Sequence, residues 1–186
     1  MMAKRHKVFV SYHHENDQYY RDLFESTMVD KFDIMVSKSV NPDEVDDNLN
    51  TERIRQIIRD DYLKDSTVTV VLIGAETWKR KYVDWEIAAS IRDTKNNPRS
   101  GLLGIFLPTY HLSSEKNFNP HTIPPRLYYN WKNENQRFAQ LYKWSLEPSE
   151  VIKWIDRAFN DRNKIIPDNS YPSFTKNRRG ERWEYN

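Results

Sequence analysis

Apolar and polar positions change their period several times along the chain, and each change marks an element. Residues 7–12 read Lys-Val-Phe-Val-Ser-Tyr, a β-branched and aromatic run that predicts a strand ending in the polar cluster His13, His14, Glu15, Asn16 and Asp17. Asp17 is expected to cap the helix that follows, whose buried face is formed by Tyr20, Leu23, Phe24 and Met28 at three- and four-residue spacing. Phe32, Ile34 and Val36 alternate with polar neighbours and predict a second strand over 32–37. A polar loop over 38–48 then carries Pro42 and the acids Asp43, Glu44, Asp46 and Asp47. Asn50 is the expected N-cap of an amphipathic helix over 50–63, with Ile54, Ile57, Ile58 and Tyr62 on one face.

Residues 67–73 form a nearly continuous apolar run, the pattern of a central parallel strand covered on both faces. A fourth run over 102–107 is stopped by Pro108 and is expected to pair beside it. The polar, proline-containing stretch 108–125 suggests a long ordered excursion rather than a core element. Residues 138–144 predict a fifth strand, and Ser149 is the expected cap of a last helix buried through Val151, Ile152, Ile155, Ala158 and Phe159. Strands alternating with helical segments indicate an α/β fold: a flavodoxin-like, five-stranded parallel sheet with helices on both faces. The domain is expected over 5–165, with an extended tail over 166–186.

Composition narrows the chemistry. A chain of 186 residues is long enough for one full core. Cysteine is absent, which removes disulfides, thiolate nucleophiles and zinc–thiolate sites and points to a cytoplasmic location. No apolar run is long enough for a signal peptide or a membrane span. The net charge of +2 arises from 29 basic and 27 acidic residues mixed along the chain, so no nucleic-acid footprint is expected. Lys176, Arg178, Arg179 and Arg182 read as a solvated basic tail.

Missing residues remove further functions. The turn after the first strand has no glycine, which excludes a dinucleotide fingerprint and a Walker-type phosphate loop. The third strand ends in Ile73-Gly74-Ala75 without the aspartate of a phosphorelay receiver. His13 and His14 are adjacent on extended chain and point to opposite faces, so no metal is expected there. Glu86 stands out instead. It lies just past the carboxyl end of a predicted strand, where open α/β sheets bind ligands, next to Trp85 and about 100° around the helix from Ile87. That places it at the border of the buried stripe, where a carboxylate is partly desolvated. Geometry alone favours a structural reading, a helix N-terminal glutamate stabilised by the macrodipole, over a site role.

The opening Val8-Phe9-Val10-Ser11-Tyr12 with Asp17 behind it, the strand 68–73 preceded by Ser66, and the helix start Trp85-Glu86-Ile87 together resemble TIR domains. The resemblance covers roughly residues 5 to 160 and is best for bacterial TIR-like domains such as the sensors of Thoeris antiphage defence. It implies an enzyme that cleaves NAD at the nicotinamide–ribose bond, with Glu86 as the catalytic carboxylate and NAD as substrate rather than cofactor. In such domains the ribosyl carbon passes to water or to a hydroxyl of the same molecule; the second route gives a cyclic ADP-ribose isomer that switches on a separate effector protein, and the resemblance also allows a homo-oligomer. Ser11, Tyr12, His13 and Trp85 are the candidate substrate-binding residues, Tyr12 and Trp85 as stacking surfaces. The alternative is a TIR scaffold that acts through protein–protein contacts without catalysis. Residues 37–48 lack the proline–glycine turn of many TIR domains, leaving 108–125 as the segment expected to cover the site or bind a partner.

Overall fold

A computed structural model of the chain describes residues 5–38, 49–95, 97–112 and 117–183. The loop expected over 38–48 lies almost wholly outside the described residues. Five strands, β1 (His6–Ser11), β2 (Met35–Lys38), β3 (Val68–Ile73), β4 (Gly101–Phe106) and β5 (Ala139–Lys143), form one parallel sheet in the order β2-β1-β3-β4-β5. This is the expected flavodoxin-like arrangement. Every residue of β3 is buried, as its unbroken apolar run requires of a strand covered on both faces.

The helices are α1 (His14–Glu25), α2 (Thr51–Ile57), α3 (Lys81–Ser90), α4 (Pro125–Trp131) and α5 (Pro148–Asp161). Both α1 and α2 run on into a wider π-type turn, Ser26–Lys31 and Ile58–Tyr62. On one face of the sheet Phe24 and Met28 from the first helical segment and Val151 and Ile155 from α5 pack on Val8, Val10, Val70 and Leu72. On the other, Ile54 and Ile58 meet Phe9 and Trp85, while Val83, Ile87 and Leu127 cover Val71 and Ile73. Among the described residues no helix is long and apolar enough to cross a membrane.

Gly101 opens β4 where α5 crosses closest. A Cβ there would stand 2.1 Å from the Ala158 carbonyl oxygen, a backbone atom that cannot move aside alone. Gly101→Ala is expected to lower the melting temperature by roughly 2–12 °C, as overpacking of about 1–3 kcal/mol does in a chain of this size. An unchanged melting curve would show that α5 can lift off the sheet freely.

Several expectations are corrected. Asp17 does not cap α1; the cap is His13, whose ring nitrogen Nδ1 accepts from the Asn16 amide at 3.2 Å. In β2 the inward residue is Met35, while Phe32 and Val36 are exposed, because Asp33 takes a left-handed conformation (φ 53°) and resets which side chains face in. Ser149 lies inside the first turn of α5, which begins at Pro148 after an N-cap Glu147. Asn50, by contrast, caps α2 through its side chain, as expected. The excursion after β4 contributes Tyr110, Ile123 and α4 to the core, and α4 itself was not expected. Pro124 and Pro125 read as loop residues, yet proline is well suited to a first helical turn, where its missing N–H costs nothing. Among the described residues after Pro167 there is no α-helix or strand, but the segment buries Phe174 and Trp183.

Candidate functional site at the carboxyl edge of the sheet

Ser11 ends β1. Side chains alternate along a strand, so it shares the face of Phe9, toward α2 and α3. Glu86, in the second turn of α3, meets it there: the Ser11 hydroxyl donates a hydrogen bond to Glu86 Oε2. Glu86 is only 2% exposed. Burial pushes its carboxyl up from 4.5 to about 8, and the Ser11 hydrogen bond opposes that rise without cancelling it. At neutral pH the closed site therefore holds Glu86 mainly as the neutral acid.

The border position expected for Glu86 is thus corrected to full enclosure. From Val83 to Ser90 every residue of α3 is buried, so the helix has no solvated stripe. Its far side is covered by the chain after residue 168. The Trp85 indole N–H donates to the Phe174 carbonyl at 2.7 Å, and the Asn169 side chain donates to the Ala88 carbonyl at 3.0 Å.

The other candidates separate in space. Tyr12 follows Ser11 and has the opposite sense, packing with Val8 and Val10 on the α1 face. Its hydroxyl donates to Gln18 at 2.7 Å, its ring lies against His14, and burial raises its pKa to about 12. Trp85 is enclosed among Phe9, Ile54, Ile58 and Ala89, with Tyr82 edge-on at 5.2 Å. As placed, neither ring presents a face to a ligand, so the stacking roles expected for them need a rearrangement. His13 is occupied as the helix cap; burial, then the Arg80 charge, lowers its pKa, which keeps it neutral. Of the five candidates, the structure brings Ser11 and Glu86 together.

Two groupings at this edge escaped the sequence reading. Asp17 is buried at the top of the sheet, accepting from Thr109 at 3.0 Å and Thr77 at 3.5 Å, while Thr77 in turn accepts from the Gly74 amide at 2.8 Å. A Cβ at position 74 would stand 2.1 Å from an Asp17 oxygen, so any larger residue there has to displace the Asp17 carboxylate. Asp84 and Arg126 form a second, buried pair at 3.1 Å, each side chain about 1% exposed. The signal for the first was the coincidence of Gly74 with an aspartate after β1. For the second, a lone arginine among apolar residues in α4 was the available hint.

Residues 9–111 match the family described as Thoeris protein ThsB, TIR-like domain. The chain belongs to this family. No curated protein matches the chain. The span shared with the ThsB TIR-like family runs from β1 past β4 and contains Ser11, Tyr12, His13, Trp85 and Glu86. It stops before α4, so Arg126 and the covering segment lie outside it. Membership places this TIR-like domain with Thoeris-type antiphage defence. Chemically, the Ser11–Glu86 pair offers one desolvated carboxyl with a hydroxyl donor, suited to stabilising positive charge once the carboxyl is ionised.

Proposed function

We propose that this chain is an NAD-cleaving enzyme of cytoplasmic antiphage defence, in which Glu86 acts at the ribose of NAD and the product is a cyclic ADP-ribose isomer that activates a separate effector. The observation that carries this reading is the enclosed Ser11–Glu86 pair at the carboxyl edge of the sheet in a ThsB-type domain. Nicotinamide in NAD is already cationic, so the C1′–N bond breaks with its electron pair passing to the ring nitrogen and neutral nicotinamide departs. Positive charge then develops on C1′ and the ribose ring oxygen, as in glycoside hydrolysis. Ionised Glu86 stabilises that charge, and the Ser11 hydroxyl holds the carboxylate in place. A hydroxyl of the same molecule, rather than water, adds at C1′ and releases its proton through Glu86 to solvent. A site that closes again over the bound dinucleotide favours the internal acceptor by excluding water.

Reaching Glu86 requires the surrounding side chains to part. A substrate carrying a cationic ring beside the carboxyl then favours its ionised form. The expected pH profile follows. Because kcat/KM reports the free enzyme, it rises with pH toward about 8 and levels off above, while the midpoint for kcat lies lower. A kcat/KM flat from roughly pH 5.5 to 9 would remove Glu86 from the chemistry. Chromatography of the products formed from NAD, with protein taken before and after phage challenge, tests the activity itself. Release of nicotinamide with a cyclic isomer supports the reading; linear ADP-ribose alone corrects the acceptor to water; and no release from either preparation favours the scaffold.

A further inference from the structure

We infer that residues 168–178 form a strap that sets the position of α3 and holds Glu86 against Ser11, with Asp84 and Arg126 as its buried fastening. This inference rests on the reading that Glu86 is the reactive carboxyl. Four residues of α3 bond to the strap. The Lys81 amide donates to the Asn177 side chain at 2.9 Å, the Phe174 amide donates to Asp84 Oδ2 at 3.0 Å, the Trp85 indole donates to the Phe174 carbonyl, and Asn169 donates to the Ala88 carbonyl. Just before the helix, the Arg178 amide donates to the Lys79 carbonyl at 2.7 Å.

Positions 81, 84, 85 and 88 are one stripe of a helix, spaced i, i+3, i+4, i+7. At 100° per residue Glu86 projects about 150° from the centre of that stripe. The strap therefore grips α3 on the side roughly opposite Glu86, and the side carrying Glu86 is held toward Ser11 of β1. An apolar cover would bury this side equally well but leave the helix free to slide and rotate; directional hydrogen bonds restrict both.

The fastening is complete on the strap's side too. Arg126 Nε donates to Asp84 Oδ1, its Nη1 to the carbonyl and side-chain oxygens of Asn169, and its Nη2 to the Tyr171 carbonyl at 2.7 Å. Asn130 in α4 exchanges bonds with Asp168, donating to its carbonyl and accepting from its amide. The N-terminus of α3 has no side-chain cap from its own N-cap residue Arg80, and Asn177 supplies one from 96 residues away. Asp84, Arg126, Asn169 and Asn177 are thus positioning residues, acting on Glu86 through the helix that carries it.

The test uses the full chain with Asn177→Ala and Asn169→Ala, singly and together, both leaving the Asp84–Arg126 pair intact. Carbon-13 NMR follows the titration of Glu86, and hydrogen exchange follows the amides of α3. The expected result is a Glu86 midpoint lower by a pH unit or more as water reaches it. Amides of α3 are expected to exchange roughly tenfold faster, with those of β3 unchanged, as when a net hydrogen bond is lost locally. NAD turnover should lose kcat with little change in KM, and Asn177→Asp, which keeps an acceptor for Lys81, should restore it. If the Glu86 midpoint and α3 exchange stay at wild-type values in folded variants, even with a lower melting temperature, the strap serves stability alone and the inference is overturned. Should the double variant not fold, the single ones decide. If wild-type protein releases no nicotinamide, the proposed activity fails, while titration and exchange still judge the strap.

Discussion

The Glu86→Gln protein is expected to melt higher than wild type at pH 8 and to release almost no nicotinamide from NAD. Both effects have one cause. Burial raises the folded-state pKa of Glu86 from 4.5 to about 8, so across that window the native state keeps a proton that the unfolded chain has released. The stability associated with the neutral carboxyl is fully present below about pH 4.5 and is lost as pH rises through about 8. Each unit corresponds to about 1.4 kcal/mol, giving a total on the order of 3–5 kcal/mol. Glutamine does not titrate and removes that loss, which in a chain of this size raises the melting temperature at pH 8 by roughly 6–20 °C. At pH 4 the two proteins should melt together. Turnover should fall by about 10²–10³, the cost of losing one preorganised electrostatic contact in an enclosed site. Thermal melts at both pH values and nicotinamide release check the two halves independently; wild-type turnover in the glutamine variant would sink the catalytic assignment.

The second large effect is expected at Arg126. Replacing it with methionine keeps the volume of the stem but leaves Asp84 buried without its cation, and it also strips partners from Asn169 and Tyr171. Burial already pushes the Asp84 carboxyl above its ordinary range, with the Arg126 charge as the chief opposing influence, so losing Arg126 drives it further toward the neutral acid. Breaking a buried pair from one side costs about 3–5 kcal/mol. Urea titration should show that loss. Combining Arg126→Met with Asp84→Leu should recover part of it, because no uncompensated charge remains, with the Phe174 amide and the two carbonyls still unsatisfied. The double-mutant cycle is then expected to give a coupling of about 1–3 kcal/mol. Strict additivity would mean that the two side chains stabilise the chain separately.

Much of the fold was legible because periodicity reports burial directly. The run 68–73 demanded a strand with no solvent face, and β3 has none. Ile54 and Ile58 marked the inner side of the α2 segment, and Asn50 its start. Where a distant segment decides exposure, periodicity is silent. The sequence around Glu86 looks like a helix with a polar border, and it would be one if the chain ended near α5. Residues 168–178 bond to the opposite side of α3 and hold the helix against the sheet, so that Glu86 is an enclosed acid rather than a half-desolvated carboxylate. Trp85 and Tyr12 misled for a related reason: an aromatic ring at a strand or helix end suits a ligand and a core equally, and only the direction of its side chain separates the two. The register of β2 was lost to one left-handed residue, Asp33, which no hydrophobic pattern encodes.

Asp17 joins the first turn of α1, the turn after β3 and the loop after β4 through a single buried carboxylate. Three segments laced at one point cannot part independently, so the crevice has unequal sides. The side toward β4 is the tied one, so under the proposed function the opening that admits NAD to Glu86 is expected from the side of β2 and α2. Ligand entry should therefore alter exchange rates in α2 and leave those around Gly74 and Thr109 as they were.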